Sequence, residues 1–152
     1  MRYFEDYEIG QFEESQGRTV TEADVVNFSN LSWDHKALHT DEEYAKQNTP
    51  FGTRVAHGML GLMIVSGLIA GMELFKDIAV FAFTKFTWEF KKPIFIGDTL
   101  RARVEIVEKE DVQDKGTGIV RMARKAINQK DKVVQQGISE MIVYKKGDDK
   151  NG

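Results

Sequence analysis

The sequence predicts an α+β domain in which a curved antiparallel sheet wraps around one long, buried central helix. Three observations predict it. From Gly58 to Met72 the chain carries no charged residue. Apolar or small residues there occupy every face of a helical repeat, so a helix has no polar side and is expected to be buried all round. After Lys76 the pattern turns aromatic, β-branched and alternating, as strands are. The strand candidates follow one another through short turns, which pairs them antiparallel.

Residues 3 to 18 mix aromatics with charges and end near Gly17. A short strand or extended lead-in is expected there. Thr21 and Asp24 have the spacing of a capping box, which predicts a helix over 22–32. Residues 32 to 39 have no clear period and are read as a turn. Thr40 to Glu43 reads as a second capping box, opening a short helix through Tyr44, Ala45 and Lys46. Asn48, Pro50 and Gly52 punctuate a loop. It delivers the chain to the apolar helix, which is shorter than the ~20 residues needed to cross a bilayer. Gly58, Gly61, Gly67 and Gly71 each cost up to about 1 kcal/mol relative to Ala in a helix interior. That cost suggests close approach of a backbone or a ligand, or simply that strands pack tightly on the helix.

Strand candidates follow at 80–84 and 86–90. Pro93 and the Gly97-Asp98 turn bound a short piece, Ile94-Phe95-Ile96. Leu100, Ala102, Val104 and Ile106 alternate with charged residues, the mark of a half-buried strand. Residues 111 to 117 read as a turn. Strands over 119–127 and 133–144 close the pattern, and a polar tail follows. Such a sheet leaves one edge and part of the helix open, so self-association is expected.

A length of 152 residues suits a single domain, 1–152, with one sizeable core. A net charge of -3 gives no basic field for nucleic acid. The chain has no cysteine, which removes thiol nucleophiles, disulfides and thiolate metal sites and suits a cytoplasmic location. Met1 to Glu8 is acidic and lacks the apolar run of a secretory signal. No Gly-x-Ser-x-Gly, phosphate loop or dinucleotide fingerprint occurs.

The titratable residues with chemical promise are few. His35 and His39 lie at i,i+4 and could ligate zinc on a regular helix with His57 as third ligand. The segment does not read as helical and no Glu follows His35 in the zincin pattern, so no metal is expected. Asp34 and His39 converge only if the chain between them turns; on a helix they diverge by about 140°. Convergent, they can hold a water and move its protons. Alternatively, Asp34 caps a turn and His39 is a surface or cap residue. His57-Gly58 starts the apolar helix, where free N–H groups and the positive end of the dipole favour developing negative charge. Gly58 leaves its amide uncovered, or simply packs tightly.

Asp34-x-x-x-Leu38-His39-Thr40-Asp41-Glu42-Glu43-Tyr44-Ala45, Val55-Ala56-His57-Gly58-Met59-Leu60 and Gly97-Asp98-Thr99-Leu100, in this order, resemble the MaoC-like dehydratases, which include the (R)-specific enoyl-CoA hydratases. The resemblance runs from about residue 8 to 144. It implies the hot-dog fold, a homodimer and an acyl tunnel near the dimer interface. It places the family's catalytic Asp and His on Asp34 and His39, its oxyanion amide on Gly58 and a site-lining Ser on Ser66. Trp33, Lys36 and Ala37 stand where the family has Gly, Asn and Pro. Trp33 is expected to narrow the acyl pocket. Lys36, if close to Asp34, lowers its pKa and weakens it as a base.

The resemblance therefore implies a lyase that hydrates an enoyl thioester, or dehydrates the 3-hydroxy compound, with CoA as the carrier. Asp34, His39 and Gly58 carry the chemistry; Ser66, Trp33, His57 and Arg54 form the expected substrate-binding set. Lys85, Lys91 and Lys92 join Arg54 as partners for the CoA phosphates. No metal or redox cofactor, nucleic acid or membrane partner is implied. Two other readings remain: a thioesterase on the same scaffold, and a non-catalytic acyl-CoA binding or regulatory module.

Overall fold

The computed structural model describes residues 1–113 and 115–147; Asp114 and residues 148–152, including part of the polar tail, lie outside the described residues. Strands β1 (Phe12–Glu14) and β2 (Arg18–Thr19) lead into helix α1 (Glu22–Ser32), a single turn α2 (Ala37–Thr40), α3 (Glu42–Asn48) and the central helix α4 (Gly58–Ala70). Four long strands follow: β3 (Val80–Phe90), β4 (Thr99–Val112), β5 (Thr117–Ile127) and β6 (Val133–Tyr144). The sheet is antiparallel in the order β1-β4-β5-β6-β3, and β2 pairs with β4 beyond β1.

The box at the start of α1 forms as expected. Thr21 Oγ1 accepts the Asp24 N–H at 3.2 Å, and the Asp24 carboxylate accepts the Thr21 N–H at 2.8 Å. The second box does not form. Thr40 turns its hydroxyl back to the Lys36 carbonyl at 3.2 Å, and Asp41 caps α3 instead by accepting the Tyr44 N–H at 2.9 Å. Asp41 sits in extended backbone, as a cap must, whereas Thr40 still belongs to α2.

The aromatic segments at 80–84 and 86–90 are one strand, with an irregularity between Phe83 and Lys85. β4 and β5 reach into the expected turn, which shrinks to the residues between Val112 and Thr117. Among the four long strands consecutive ones pair except at one place: β3 lies beside β6, not β4. Residues 91 to 98 instead carry the chain past the start of α4. There the Ala56 N–H donates to the Ile94 carbonyl at 2.8 Å, and Val55 bridges Phe95. The Gly97-Asp98 turn is as expected, with Gly97 at φ +98°, a left-handed value suited to glycine.

The core lies between α4 and the inner faces of β4, β5 and β6. Leu60, Ile64, Val65 and Ile69 meet Leu100, Ala102, Val104, Ile106, Val120 and Met122, all buried. The helix is not buried all round. Met59, Met63, Ser66, Gly67 and Ala70 remain exposed along one stripe, because the sheet covers only the side facing β4 and β5. Of the four helix glycines, two are tightly packed, against side chains rather than a backbone. A Cβ on Gly58 would lie 2.7 Å from the Phe90 ring, and one on Gly61 2.5 Å from Ile94; nothing lies within 4 Å at Gly67, and Gly71 has only an ordinary contact.

Candidate active site

The break between α1 and α2 brings Asp34 and His39 together. Trp33 caps α1 with a left-handed backbone, φ +64°, and turns the chain so that Asp34 swings back toward α2. Asp34, His39 and His57 each bring one ligand atom into a cluster whose members lie within 4.8 Å of one another. His35 is outside this cluster, and the acid of the trio is Asp34. The convergence of Asp34 and His39 that the sequence required is therefore present.

Each ring has an assignable tautomer. His39 Nδ1 lies 2.7 Å from the Val55 carbonyl. A carbonyl only accepts, so Nδ1 carries the proton and Nε2 keeps its lone pair. His57 Nε2 likewise donates to the Asp34 carbonyl at 2.9 Å, and its buried Nδ1 has no partner among the described residues. The two imidazoles stack at 3.8 Å. His57 thus backs His39 and pins the Asp34 backbone.

Burial holds the His39 imidazole below its ordinary value, against the opposing effect of the Val55 bond, so it is a neutral base at pH 7. At Asp34, desolvation acts upward; the Lys36 backbone N–H and ammonium outweigh it and hold the carboxyl below its usual range. The ammonium stands 3.5 Å from Asp34 Oδ2, an ion pair with Asp34 at 34% side-chain exposure. The closeness that the sequence made a condition for a lowered Asp34 is met.

A cavity of about 550 Å³ opens beside His39, within the range of small-molecule sites. Its wall is mostly apolar, from Leu38, Phe51, Val55, Met59, Phe90 and Ile94, with Gly58 and Gln135 among the lining and Lys91 and Lys92 also present. Gly58 opens α4, so its N–H has no acceptor within the helix. The His39 imidazole and the first residue of α4 thus share one apolar cleft, and Asp34 stands beside His39 without lining it.

The other expected residues stand elsewhere. Trp33 is 83% exposed and packs edge-on against His35; it does not line the cavity. Ser66 is on the open stripe of α4, away from the cleft. Arg54 is committed elsewhere: its guanidinium makes a two-pronged pair with Glu22 at 2.7 and 2.8 Å and reaches Glu42 at 3.4 Å. Lys85 lies on β3 and is not part of the lining. Sequence reasoning missed Gln135 and Phe90. The signal for Gln135 was a polar residue in an inward position of β6, a signal that Ser139 shares.

The architecture is the hot-dog fold, which solved relatives share. The MaoC like domain model matches residues 7–127, and the chain belongs to that family. A curated relative named (R)-specific enoyl-CoA hydratase, from Rhodospirillum rubrum, is 39% identical over 106 residues, covering 70% of each chain. The structure of a monoamine oxidase regulatory protein from Archaeoglobus fulgius has a TM-score of 0.88 at 38% identity, covering 95% of both chains. An unliganded R-hydratase from Pseudomonas aeruginosa gives a TM-score of 0.76 at 31% identity, over 94% of this chain and 86% of that one. Relatives named as hydratases and dehydratases support that general kind of reaction for this chain.

Proposed function

We propose that the protein adds water to an enoyl-CoA, or removes it from the (R)-3-hydroxyacyl-CoA, in the cleft beside His39. One observation carries the reading: a neutral imidazole with a free Nε2 stands beside an ionised carboxylate, and that imidazole lines the same cleft as Gly58, the first residue of α4. A water between Asp34 and His39 donates its two O–H bonds to them. Nε2 takes one proton as the oxygen bonds to C3 of the enoyl group. The C2–C3 π electrons move onto the thioester oxygen, where the Gly58 N–H and the positive end of α4 stabilise the enolate. A donor of this kind contributes about 3 kcal/mol. The acid–base pair then returns a proton to C2. The apolar wall takes the acyl chain, and Lys91 and Lys92 meet the CoA phosphates.

A second copy of the chain completes the molecule in this reading. Met59 and Met63 on α4, and Phe81, Phe83 and Phe90 on β3, are exposed. β3 is also an edge strand with unpaired backbone groups.

The test is loss of the enoyl-thioester absorbance of crotonyl-CoA, with wild type and Asp34→Asn side by side, followed by chiral analysis. The expected result is an (R)-3-hydroxy product from wild type and a rate lower by about 10²–10⁴ in the variant, the usual worth of a general acid–base group. Free CoA released from a saturated acyl-CoA would favour a thioesterase. Acyl-CoA binding without turnover would favour a regulatory module, a role also named for the 38% identical structure.

A further inference from the structure

Gln135 is 1% exposed on the inner face of β6, and both ends of its amide are spoken for. Trp88 Nε1 lies 3.1 Å from one end, and the Gly58 carbonyl lies 2.9 Å from the other. Indole N–H only donates and a carbonyl only accepts. The amide orientation is therefore fixed by chemistry: Oε1 faces Trp88 and Nε2 faces Gly58. The approach is possible because Gly61 has no side chain. A Cβ there would stand 2.8 Å from Nε2 and 3.0 Å from Oε1.

Gly58 needs such an anchor. It is the first residue of α4, it has no Cβ to restrict its backbone, and its amide precedes the first intrahelical bonds. The peptide plane that Gln135 grips ends in the Met59 N–H, next to the amide assigned to the thioester oxygen. We propose that Gln135 is a positioning residue: through the Trp88–Gln135–Gly58 relay it holds the first turn of α4 so that its free N–H groups face the cleft. This rests on the hydratase reading above for its catalytic consequence, and on geometry alone for the anchoring. Gln135 acts through Gly58.

Two variants test it. Gln135→Met keeps the volume and removes both bonds. The expected result is a kcat on crotonyl-CoA lower by about tenfold or more, as for a weakened oxyanion donor, with KM nearly unchanged. Gln135→Glu separates positioning from packing. An ionised carboxylate cannot donate to the Gly58 carbonyl, whereas a protonated one can, and burial raises its pKa. The ratio of its kcat to that of wild type should rise as pH falls, measured where circular dichroism shows both proteins folded. A flat ratio, or a Gln135→Met kcat equal to wild type, overturns the proposal.

A readout without substrate keeps the two ideas apart. In Gln135→Met the amide resonances of Gly58 and Met59 should shift and their ¹⁵N order parameters fall, while those of Ile64 and Val65 stay put. If wild type fails to hydrate crotonyl-CoA, the hydratase reading falls and this readout decides the anchoring. If wild type turns over and the Gly58 and Met59 amides are undisturbed, the hydratase reading stands and Gln135 is only a packing residue.

Discussion

At position 33 the backbone is left-handed and the side chain is a tryptophan. An L-residue in that region costs about 1–2 kcal/mol, and Trp33, being mostly exposed, regains little by packing. Trp33→Gly should therefore raise stability by about 0.5–1 kcal/mol, read as a higher urea midpoint at an unchanged slope. The geometry also explains the glycine that the resemblance places there. Lys36→Asn removes the cation beside Asp34, so the Asp34 pKa should rise toward 3.8, followed by the carboxyl ¹³C shift. His39 supplies the pH dependence. Its folded pKa lies below the ordinary 6.5, so between the two values the unfolded chain binds more protons and stability rises with pH. Its contribution is intact above 6.5 and is lost as pH falls through the folded value. The rate should fall on the same acid side as the base is protonated; a rate that climbs below pH 6 would sink the assignment of His39. These residues were legible unevenly. Asp34 and His39 could be paired because the chain between them lacked a period. Arg54 could not be placed, since nothing local says that Glu22, 32 residues away, would claim it.

The elements were legible where the signal is local. The box at Thr21 is local chemistry and formed; the one at Thr40 failed because a hydroxyl can serve either a preceding carbonyl or a following amide. The pairing of β3 with β6 depends on the route of residues 91–98, which no local pattern encodes. The glycines of α4 give a test at this scale. Gly67→Ala meets open space and should stabilise the folded chain by about 0.5–1 kcal/mol through helix propensity. Gly61→Ala gains the same but drives a methyl into Ile94 and Gln135, and overpacking of this kind costs about 1–3 kcal/mol. Opposite shifts of the two melting temperatures are expected.

For the whole molecule, the sequence marked α4 as apolar all round, but not what would cover it. One chain covers one side. The stripe through Met59 and Met63 and the open edge of β3 fit a second copy, so the melting temperature should rise with protein concentration. Met63→Glu should yield a monomer by sedimentation. A monomeric wild type at high concentration would remove the dimer from the proposal. No described helix is long and apolar enough to cross a membrane.

The dipeptide Val55-Ala56 has a mechanical consequence. The Val55 carbonyl accepts the hydrogen bond of His39 Nδ1–H, its N–H donates to the Leu38 carbonyl, Ala56 is tied to Ile94, and α4 begins two residues later. The proposed base and the proposed oxyanion donor are thus the two jaws of a caliper whose bar is a few residues long. Strain elsewhere moves both jaws together and leaves the gap between them unchanged. One residue inserted after Ala56 would reset that gap, however well the rest of the chain folded around it.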